Sequence, residues 1–425
     1  MKRVLILGVI VAGTATLIFG CERSAKRASS QLPLIPETDP LAQPKSLQQV
    51  GVPVAMSRGV IPADNRQTPE KISLGQKLFV DRRLSADGTV SCSTCHDPAL
   101  AFTDRKPTSV GIKGRVGQRN APTVLNALYN KTQFWDGRVN TLEEQAALPI
   151  VNSVEMGHPS LDAAVAQIAA VEEYQHAFRN VFGHPPNSPD LLRAIASYER
   201  TQLSFDSPFD HFIAGGKNAI DESAKRGWEL FNNQARCNKC HALTETRRDV
   251  TNLIDNDFHN IGVLIVQHKV VPLARQAEQL VKTGDTSAID QAAIQTEMSA
   301  LGRFLITKKE PDIASFKTPN IRNVLVTGPY FHDGSQDTLW DVIDHYNKGA
   351  GLQDPYLDQD IQPLALTEND IDDLVAFMAS LTSPNYKEQG AAELARQRAL
   401  SRTTRPQRDT ARAFGPKPPR PAPPK

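Results

Sequence analysis

The chain has 425 residues, of which 40 % are hydrophobic and 22 % are charged, so it can build two or three soluble domains. This composition excludes a protein with many membrane spans, a coiled coil and a disulfide-rich scaffold. The formal net charge is +1, but the basic residues concentrate at the two ends, and residues 21–395 carry nine more acidic than basic groups. An acidic body argues against nucleic-acid binding.

Residues 1–20 have the pattern of an export signal. Two basic residues precede an apolar run from Val4 to Phe19, which is shorter than the roughly 20 residues of a membrane-spanning helix. The run ends in Leu17-Ile18-Phe19-Gly20-Cys21, which resembles a bacterial lipobox. We therefore expect a lipoprotein-type signal peptide, a periplasmic location and a lipid on Cys21 that holds the protein on a membrane. Simple secretion and an uncleaved anchor are the alternatives.

Four further cysteines form two Cys-x-x-Cys-His motifs. They read Cys92-Ser-Thr-Cys95-His96 and Cys237-Asn-Lys-Cys240-His241. This is the attachment pattern of c-type haem: two thiols three positions apart reach the two vinyl groups, and the histidine offers its imidazole to the iron. A redox dithiol or half of a zinc site is the alternative for a single copy. Two copies in an exported chain predict two covalently bound haem c groups.

Each motif follows a similar helical segment. Gly75-Gln-Lys-Leu78-Phe79 precedes the first motif and Gly227-Trp-Glu-Leu230-Phe231 precedes the second. Leucine and phenylalanine at this spacing share one helical face, which indicates a duplicated unit or simply one apolar helix face per domain.

Strand patterns are scarce and helix signals are frequent. Examples are the capping box at Thr141-Leu-Glu-Glu144, the Ser188–Tyr198 segment and the segment that begins at Thr367. We predict a mainly α fold of two cytochrome c-like haem domains in tandem, with few short strands. The boundaries are an extended linker at 21–65, an N-terminal haem domain at 66–215, a C-terminal haem domain at 216–390 and a disordered basic, proline-rich tail at 391–425.

Several segments between residues 66 and 385 resemble the bacterial di-haem cytochrome c peroxidases, and within them the MauG-like branch. The segments are Leu84–Cys92, Arg119–Thr123, Gln133–Arg138, Ser153–Met156 and Gly328–Gly334. Together they are far more specific than either haem motif alone.

The resemblance implies a role for each matching position. His96 would be the proximal ligand of a peroxidatic haem, His241 that of an electron-transfer haem, and Trp135 an electron relay between them. Gln145, Pro149 and Glu155 would line the distal, peroxide-binding side. A calcium ion between the haems would be held by the Asn120 side chain and by the carbonyl oxygens of Thr327 and Pro329, which are ligands that a hard cation takes.

The chemistry of peroxide cleavage supports one of these roles independently. A base must take the proton of the inner oxygen and return it to the leaving oxygen, and a buried carboxylate suits that task. Glu155 is the candidate, and Gln145 can hydrogen-bond nearby without adding charge. An exposed helix carboxylate and a core aromatic are the plainer interpretations of Glu155 and Trp135.

The chain departs from the ordinary peroxidase pattern at two positions. Ile112 stands where many relatives carry a histidine that blocks the first iron, so we expect that iron to be five-coordinate at rest. Tyr346 stands where ordinary peroxidases place a methionine as distal ligand of the second haem, and MauG-like proteins use tyrosine there. His345, Met298 and an open site are the alternatives. We expect the remaining histidines, including His259 and His332, to make structural hydrogen bonds.

Three functions follow from these expectations. The first is reduction of hydrogen peroxide to water with electrons from a small donor protein, either a c-type cytochrome or a cupredoxin. The second is a MauG-like oxidase that uses peroxide-derived high-valent haems to oxidise residues of a partner protein. The third is a di-haem electron-transfer protein without catalysis, against which the Gln145 and Glu155 pair argues. A solvated tail is the simplest interpretation of the basic C-terminus.

Overall fold

The computed structural model describes residues 61–243, 253–263, 273, 293, 297–350, 354 and 356–410, with the side chains of 404–410 left out. The predicted signal peptide, Cys21, most of the predicted linker and residues 411–425 lie outside the described residues.

Helices dominate the described part of the chain, which confirms the mainly α prediction. The α-helices are α1 (Pro69–Val80), α2 (Cys92–Cys95), α3 (Leu142–Val151), α4 (Leu161–Ala169), α5 (Glu172–Phe182), α6 (Ser188–Glu199), α7 (Pro208–Ile213), α8 (Glu222–Asn232), α9 (Phe304–Thr307), α10 (Leu339–Asn347), α11 (Glu368–Ser380) and α12 (Lys387–Thr410). Short 3₁₀ turns lie at Arg82–Leu84, Pro98–Leu100, Ile112–Gly114, Ala127–Tyr129, Cys237–Lys239, Glu297–Leu301, Glu310–Asp312, Val324–Val326 and Pro384–Tyr386.

The described strands form one small antiparallel ladder. Strand β1 (Phe258–His259) pairs with β2 (Phe316–Lys317), with Phe258 opposite Lys317 and His259 opposite Phe316. The ladder joins the loop after the second haem motif to the segment that leads toward α10.

The first hydrophobic core forms where α1 crosses α6. Helix α1 begins after Thr68, whose side chain accepts a hydrogen bond from the Lys71 N–H, and proline occupies its first position. Its Leu78 and Phe79 side chains are fully buried. At the crossing, a Cβ on Gly75 would lie 1.9 Å from the carbonyl oxygen of Ala194 on α6, so glycine is what permits the close approach.

The second core repeats this crossing with α8 and α11. A Cβ on Gly227 would again lie 1.9 Å from a backbone carbonyl oxygen, here that of Asp373. Phe231 is fully buried against Phe377, with ring centroids 4.9 Å apart. The two Gly-x-x-Leu-Phe segments therefore occupy equivalent positions, which favours the duplicated unit over a chance similarity of apolar faces.

The packing shifts one predicted boundary. Phe209 on α7 is fully buried in the second core, although the sequence prediction assigned residues up to 215 to the first domain. The chain therefore passes from the first core to the second between Tyr198 and Phe209.

The prediction of a disordered tail from residue 391 is wrong for residues 391–410, which belong to α12. Proline content and charge misled the prediction because three polar residues of this helix, Glu393, Gln397 and Ser401, are buried. Gln397 is fully buried, and its amide donates to the Tyr330 hydroxyl at 2.8 Å and accepts from the Leu339 N–H at 2.8 Å. In the described part of the chain, no helix combines the length and the apolar character needed to cross a membrane.

Candidate functional site

The first Cys-x-x-Cys-His motif forms a single helical turn. A capping box between Ser91 and Thr94 starts α2, and His96 ends it. The His96 Nδ1 donates to the Phe102 carbonyl oxygen at 3.2 Å, which leaves Nε2 for a metal. Burial lowers the pKa of His96, so the imidazole is neutral, as a ligand requires. Burial also raises the pKa of Cys95 to about 11.

A large cavity opens directly beside this motif. Its wall brings together every residue that the sequence analysis assigned to the first haem, to the distal side, to the relay and to calcium: Cys92, Cys95, His96, Asn120, Trp135, Gln145, Pro149, Glu155, Thr327 and Pro329. These residues span 238 positions of the chain, and their convergence is the main structural support for a common site.

The residues that the sequence analysis assigned to the distal side lie on α3 and on the turn that follows it. Gln145 and Pro149 lie on α3, and Glu155 follows in a turn whose N–H bonds back to the Asn152 carbonyl oxygen at 3.1 Å. The loop that carries Ile112 fixes this turn, because the Ile112 N–H donates to the Glu155 carbonyl oxygen at 2.9 Å. The Ile112 side chain is buried in the first core, so this loop contributes packing rather than a polar ligand.

Trp135 sits in a dense polar and aromatic environment. Its indole N–H donates to the Asn120 carbonyl oxygen at 3.0 Å, and the His332 ring meets its edge at 6.5 Å between centroids. The neighbouring Asp136 is fully buried and forms ion pairs with Arg119 and Arg138 at 2.7 and 3.0 Å. Burial alone would raise the pKa of Asp136, but the two guanidinium groups outweigh it and lower the pKa.

The second motif lies against the apolar second core. His241 donates from Nδ1 to the Leu253 carbonyl oxygen at 2.7 Å, and burial lowers its pKa, so it repeats the arrangement of His96. The Phe231 ring lies 6.5 Å from the His241 ring. Burial raises the pKa of Cys237 to about 12.

The candidates for distal ligand of the second haem differ in their surroundings. Burial raises the pKa of Tyr346, and the interactions with Cys240 and Cys237 of the second motif add to that rise. His345 points its Nε2 at the Ile261 carbonyl oxygen, 2.7 Å away. Met298 packs in a separate apolar cluster with Leu301 and Phe304.

A repeat that the sequence analysis missed relates the two halves of the site. Residues 120–149 align with residues 317–346 without gaps, at a constant offset of 197. The two segments also share the same local structural features. The shared features are a left-handed asparagine before a 3₁₀ turn (Asn126 and Asn323), a left-handed phenylalanine (Phe134 and Phe331), an isolated bridge (Gln133–Val139 and Tyr330–Gln336) and a threonine helix cap (Thr141 and Thr338). The sequence signal, Phe-x-Asp-Gly in both copies, was present but short.

The repeat makes Pro149 and Tyr346 equivalent. Each lies eight residues after its helix cap. The proline side chain has no atom that can bind iron, whereas the tyrosine side chain offers a phenolate oxygen. The same fold position is thus non-ligating in the first half and able to ligate in the second.

Two of the remaining histidines make structural contacts. His259 lies between two carboxylates, with Nε2 2.9 Å from Asp255 and Nδ1 2.7 Å from Asp358. Burial opposes its charge, but these hydrogen bonds raise the pKa of His259 to about 12. The expected hydrogen bonding is therefore confirmed for His259. His332 instead stacks on Phe316, with centroids 3.6 Å apart.

One cluster has the donor atoms of a metal site. The Cys240 sulfur and the donor atoms of Asp255 and His259 lie within 4.8 Å of one another. Cys240 belongs to the second haem motif, and a sulfur used in a thioether bond is a poor metal ligand, so this cluster belongs to the surroundings of the second haem.

The residues present fit two c-type haems. Each motif places two thiols and a neutral imidazole on one turn. In each imidazole a hydrogen bond from Nδ1 to a backbone carbonyl oxygen orients the ring and leaves Nε2 for the iron. The thiols of all four motif cysteines are free of disulfides, so they remain available for thioether bonds.

Known proteins resemble this chain in sequence and in fold. The family model for di-haem cytochrome c peroxidase matches residues 69–218. A cytochrome-c peroxidase, IdrP1, from Pseudomonas sp. (strain SCT) is 36 % identical over 330 residues, or 76 % of this chain and 83 % of that protein. The methylamine utilization protein MauG of Methylorubrum extorquens is 35 % identical over 322 residues, or 75 % and 80 %. A crystal structure of a MauG-like protein associated with microbial copper homeostasis matches with a TM-score of 0.64 and 30 % identity, covering 76 % and 92 %.

The chain therefore belongs to the di-haem cytochrome c peroxidase family and is an oxidoreductase of that family. Membership also implies two c-type haems, in agreement with the two motifs.

Proposed function

We propose that the protein is an exported peroxidase that reduces hydrogen peroxide to water with two electrons relayed from its second haem. The observation that carries this proposal is the single cavity on whose wall the first haem motif, Trp135 and the Gln145, Pro149 and Glu155 set converge. A pure electron carrier needs no acid–base group on that wall, which disfavours the non-catalytic function.

The residues of the distal wall divide the work of O–O cleavage. When bound, the haems supply redox-active iron and stored electrons. Glu155 takes the proton from the inner peroxide oxygen and returns it to the outer oxygen, which leaves as water. Gln145 orients the peroxide by a hydrogen bond without adding charge. Pro149 would offer no side-chain ligand to the iron of a haem held by the first motif, and Ile112, which is buried in the core, would supply none either.

Trp135 is proposed as the electron relay between the two halves. Its indole is fixed at one end by the Asn120 carbonyl oxygen and contacts the His332 ring, which comes from the second half. A fixed aromatic group at this junction shortens the distance over which an electron must pass.

A second function, the oxidation of residues on a partner protein, is favoured by Tyr346. A phenolate is hard and anionic, so as a ligand of the second iron it favours the ferric and higher states and lowers the reduction potential. A low potential suits an oxidase that stores oxidising equivalents better than it suits an acceptor of electrons from a small cytochrome or cupredoxin.

Peroxide turnover separates these functions. We expect purified holoprotein to carry two haems, to bind cyanide at one of them and to consume peroxide in the steady state with a reduced c-type cytochrome or cupredoxin. Peroxide consumption only when an oxidisable protein is present would favour the MauG-like function. Fewer than two haems per chain, or no cyanide binding, would contradict the proposal.

Three further features belong to this proposal. A calcium ion is held by the Asn120 side chain and by the Thr327 and Pro329 carbonyl oxygens. The Asn120 amide nitrogen already donates to the Lys106 carbonyl oxygen at 2.9 Å, so its oxygen is the atom left for an ion. The protein works in the periplasm, where c-type haems are attached. A lipid on Cys21 tethers it to a membrane, which mass spectrometry of the mature N-terminus would test.

A further inference from the structure

Lys317 is a buried cation on the wall of the haem cavity. The residue is 9 % exposed, and its ammonium group donates to the Thr132 carbonyl oxygen at 3.0 Å. The charge of Lys317 interacts with that of the Asp136 carboxylate, which is already ion-paired with Arg119. Burying an ammonium group is costly, and burial lowers the pKa of Lys317 to about 8, which still leaves it charged at neutral pH.

The internal repeat gives this lysine a counterpart. With the offset of 197, Lys317 corresponds to Asn120. Each of these two residues makes one backbone hydrogen bond to the other half. The Asn120 N–H donates to the His332 carbonyl oxygen at 2.8 Å, and the Lys317 N–H donates to the Trp135 carbonyl oxygen at 2.7 Å. His332 is itself the counterpart of Trp135, so a local two-fold relation holds for backbone contacts as well as for sequence.

The same relation maps the proposed calcium ligands onto the first half. The counterparts of Thr327 and Pro329 are Asn130 and Thr132. The Lys317 ammonium group therefore bonds to the carbonyl oxygen of Thr132, which is the counterpart of the Pro329 carbonyl oxygen that would bind calcium.

We propose that the ammonium group of Lys317 occupies the two-fold counterpart of the calcium site and replaces a second calcium ion. The inference rests on the calcium site of the proposed function. Each site would then place a positive charge beside backbone carbonyl oxygens. A short amide side chain leaves room for an ion between its oxygen and the carbonyls, whereas a lysine side chain carries its own charge to that place.

This arrangement flanks the Trp135–His332 pair with two cations of different kinds. The one beside Asn120 can be removed by a chelator, whereas the one at Lys317 is part of the chain and stays when calcium is removed. Calcium can therefore regulate the junction between the haems from one side only.

The Lys317→Asn variant tests the inference by restoring the oxygen ligand. Holoprotein is stripped with a chelator, equilibrated with calcium chloride, desalted and analysed for calcium per two haems. We expect the wild type to hold one calcium ion, Lys317→Asn to hold two, and the matched control Lys317→Met to hold one. The thermal unfolding temperature of Lys317→Asn should also rise more with added calcium than that of the wild type.

The reciprocal variant covers the case in which Lys317→Asn does not fold. Asn120→Lys should hold no calcium and yet keep both haems and its thermal stability in chelator, whereas Asn120→Ala should lose calcium and stability together. A single calcium ion in folded Lys317→Asn, or an Asn120→Lys protein as unstable as Asn120→Ala, would overturn the inference. A wild type that holds no calcium would instead contradict the calcium site of the proposed function.

Discussion

The two halves of the molecule start from the same scaffold and surround their haem motifs differently. In both, a glycine lets two helices cross at backbone contact and a Cys-x-x-Cys-His motif follows. Beside the first motif lies a cavity whose largely apolar wall also carries polar groups such as Gln145 and Glu155. Beside the second lies a cluster of aromatic rings that includes Phe231 and Phe377. The shared parts hold the cofactor, and the residues that differ between the halves decide what it does.

The equivalent positions make this division specific. Pro149 corresponds to Tyr346 near the haem, Trp135 corresponds to His332 at the junction, and Asn120 corresponds to Lys317 beside it. In each pair the backbone is alike, so the change in chemistry comes from one side chain. Exchanging these side chains is the most direct way to test the comparison.

The largest expected effect comes from the acid–base group of the first half. We expect Glu155→Gln to slow peroxide cleavage by about 10²–10⁴-fold, because the amide cannot take and return a proton. Stopped-flow mixing of the ferric holoprotein with hydrogen peroxide measures this rate. Glu172→Gln, whose side chain is 91 % exposed, should react like the wild type. A normal rate in Glu155→Gln would mean that Glu155 does not transfer the proton.

The next effect comes from exchanging the distal position between the halves. Pro149→Tyr should close the first iron, abolishing cyanide binding and peroxide reactivity, because it copies the second half. Tyr346→Phe should open the second iron, which electron paramagnetic resonance of the ferric protein would show as a second high-spin signal. Val151→Tyr on the exposed side of the same helix is the control for Pro149→Tyr. An unaltered spectrum in Tyr346→Phe would mean that another group ligates the second iron.

Much of this organisation is readable from sequence because haem attachment needs fixed spacings. The first motif must place Cys92, Cys95 and His96 on one helical turn. The segments that contain Gly75 and Gly227 indicate the helices that cross. The resemblance to a known family supplied the distal set, and those residues do line one cavity.

The remaining features depend on tertiary contacts that carry no local signal. Most of helix α12 was predicted to be disordered. The helix is held by a buried amide, that of Gln397, which is hydrogen-bonded to Tyr330 and Leu339, and the local sequence does not show these contacts. The repeat of residues 120–149 at 317–346 was missed because few side chains are shared, while the left-handed turns and caps are preserved. The burial of Lys317 was not predicted because lysine side chains are ordinarily exposed.

The shared scaffold predicts equal and moderate effects in both halves. Gly75→Ala and Gly227→Ala each place a Cβ 1.9 Å from a carbonyl oxygen, so each should lower the free energy of unfolding by about 1–3 kcal/mol. The helix propensity of alanine offsets roughly 1 kcal/mol of that cost. Gly390→Ala, whose Cβ would meet only the Thr382 side chain, is the control. Chemical unfolding of the holoprotein measures all three, and a loss in one half alone would contradict an equivalent crossing.

A pH-dependent effect is predicted for Glu199, which lines the cavity and corresponds in the helix crossing to the buried Met378 of the second half. Burial raises the pKa of Glu199 from 4.5 to about 8. Between these values the unfolded chain loses this proton and the folded chain keeps it, so stability falls as pH rises, by roughly 1.4 kcal/mol per pH unit at most. Glu199→Gln and Glu199→Met remove this cost. Thermal unfolding of the holoprotein should therefore show a gain over the wild type that grows from about pH 5 to pH 8, and a gain independent of pH would mean that Glu199 is ionised in the folded protein.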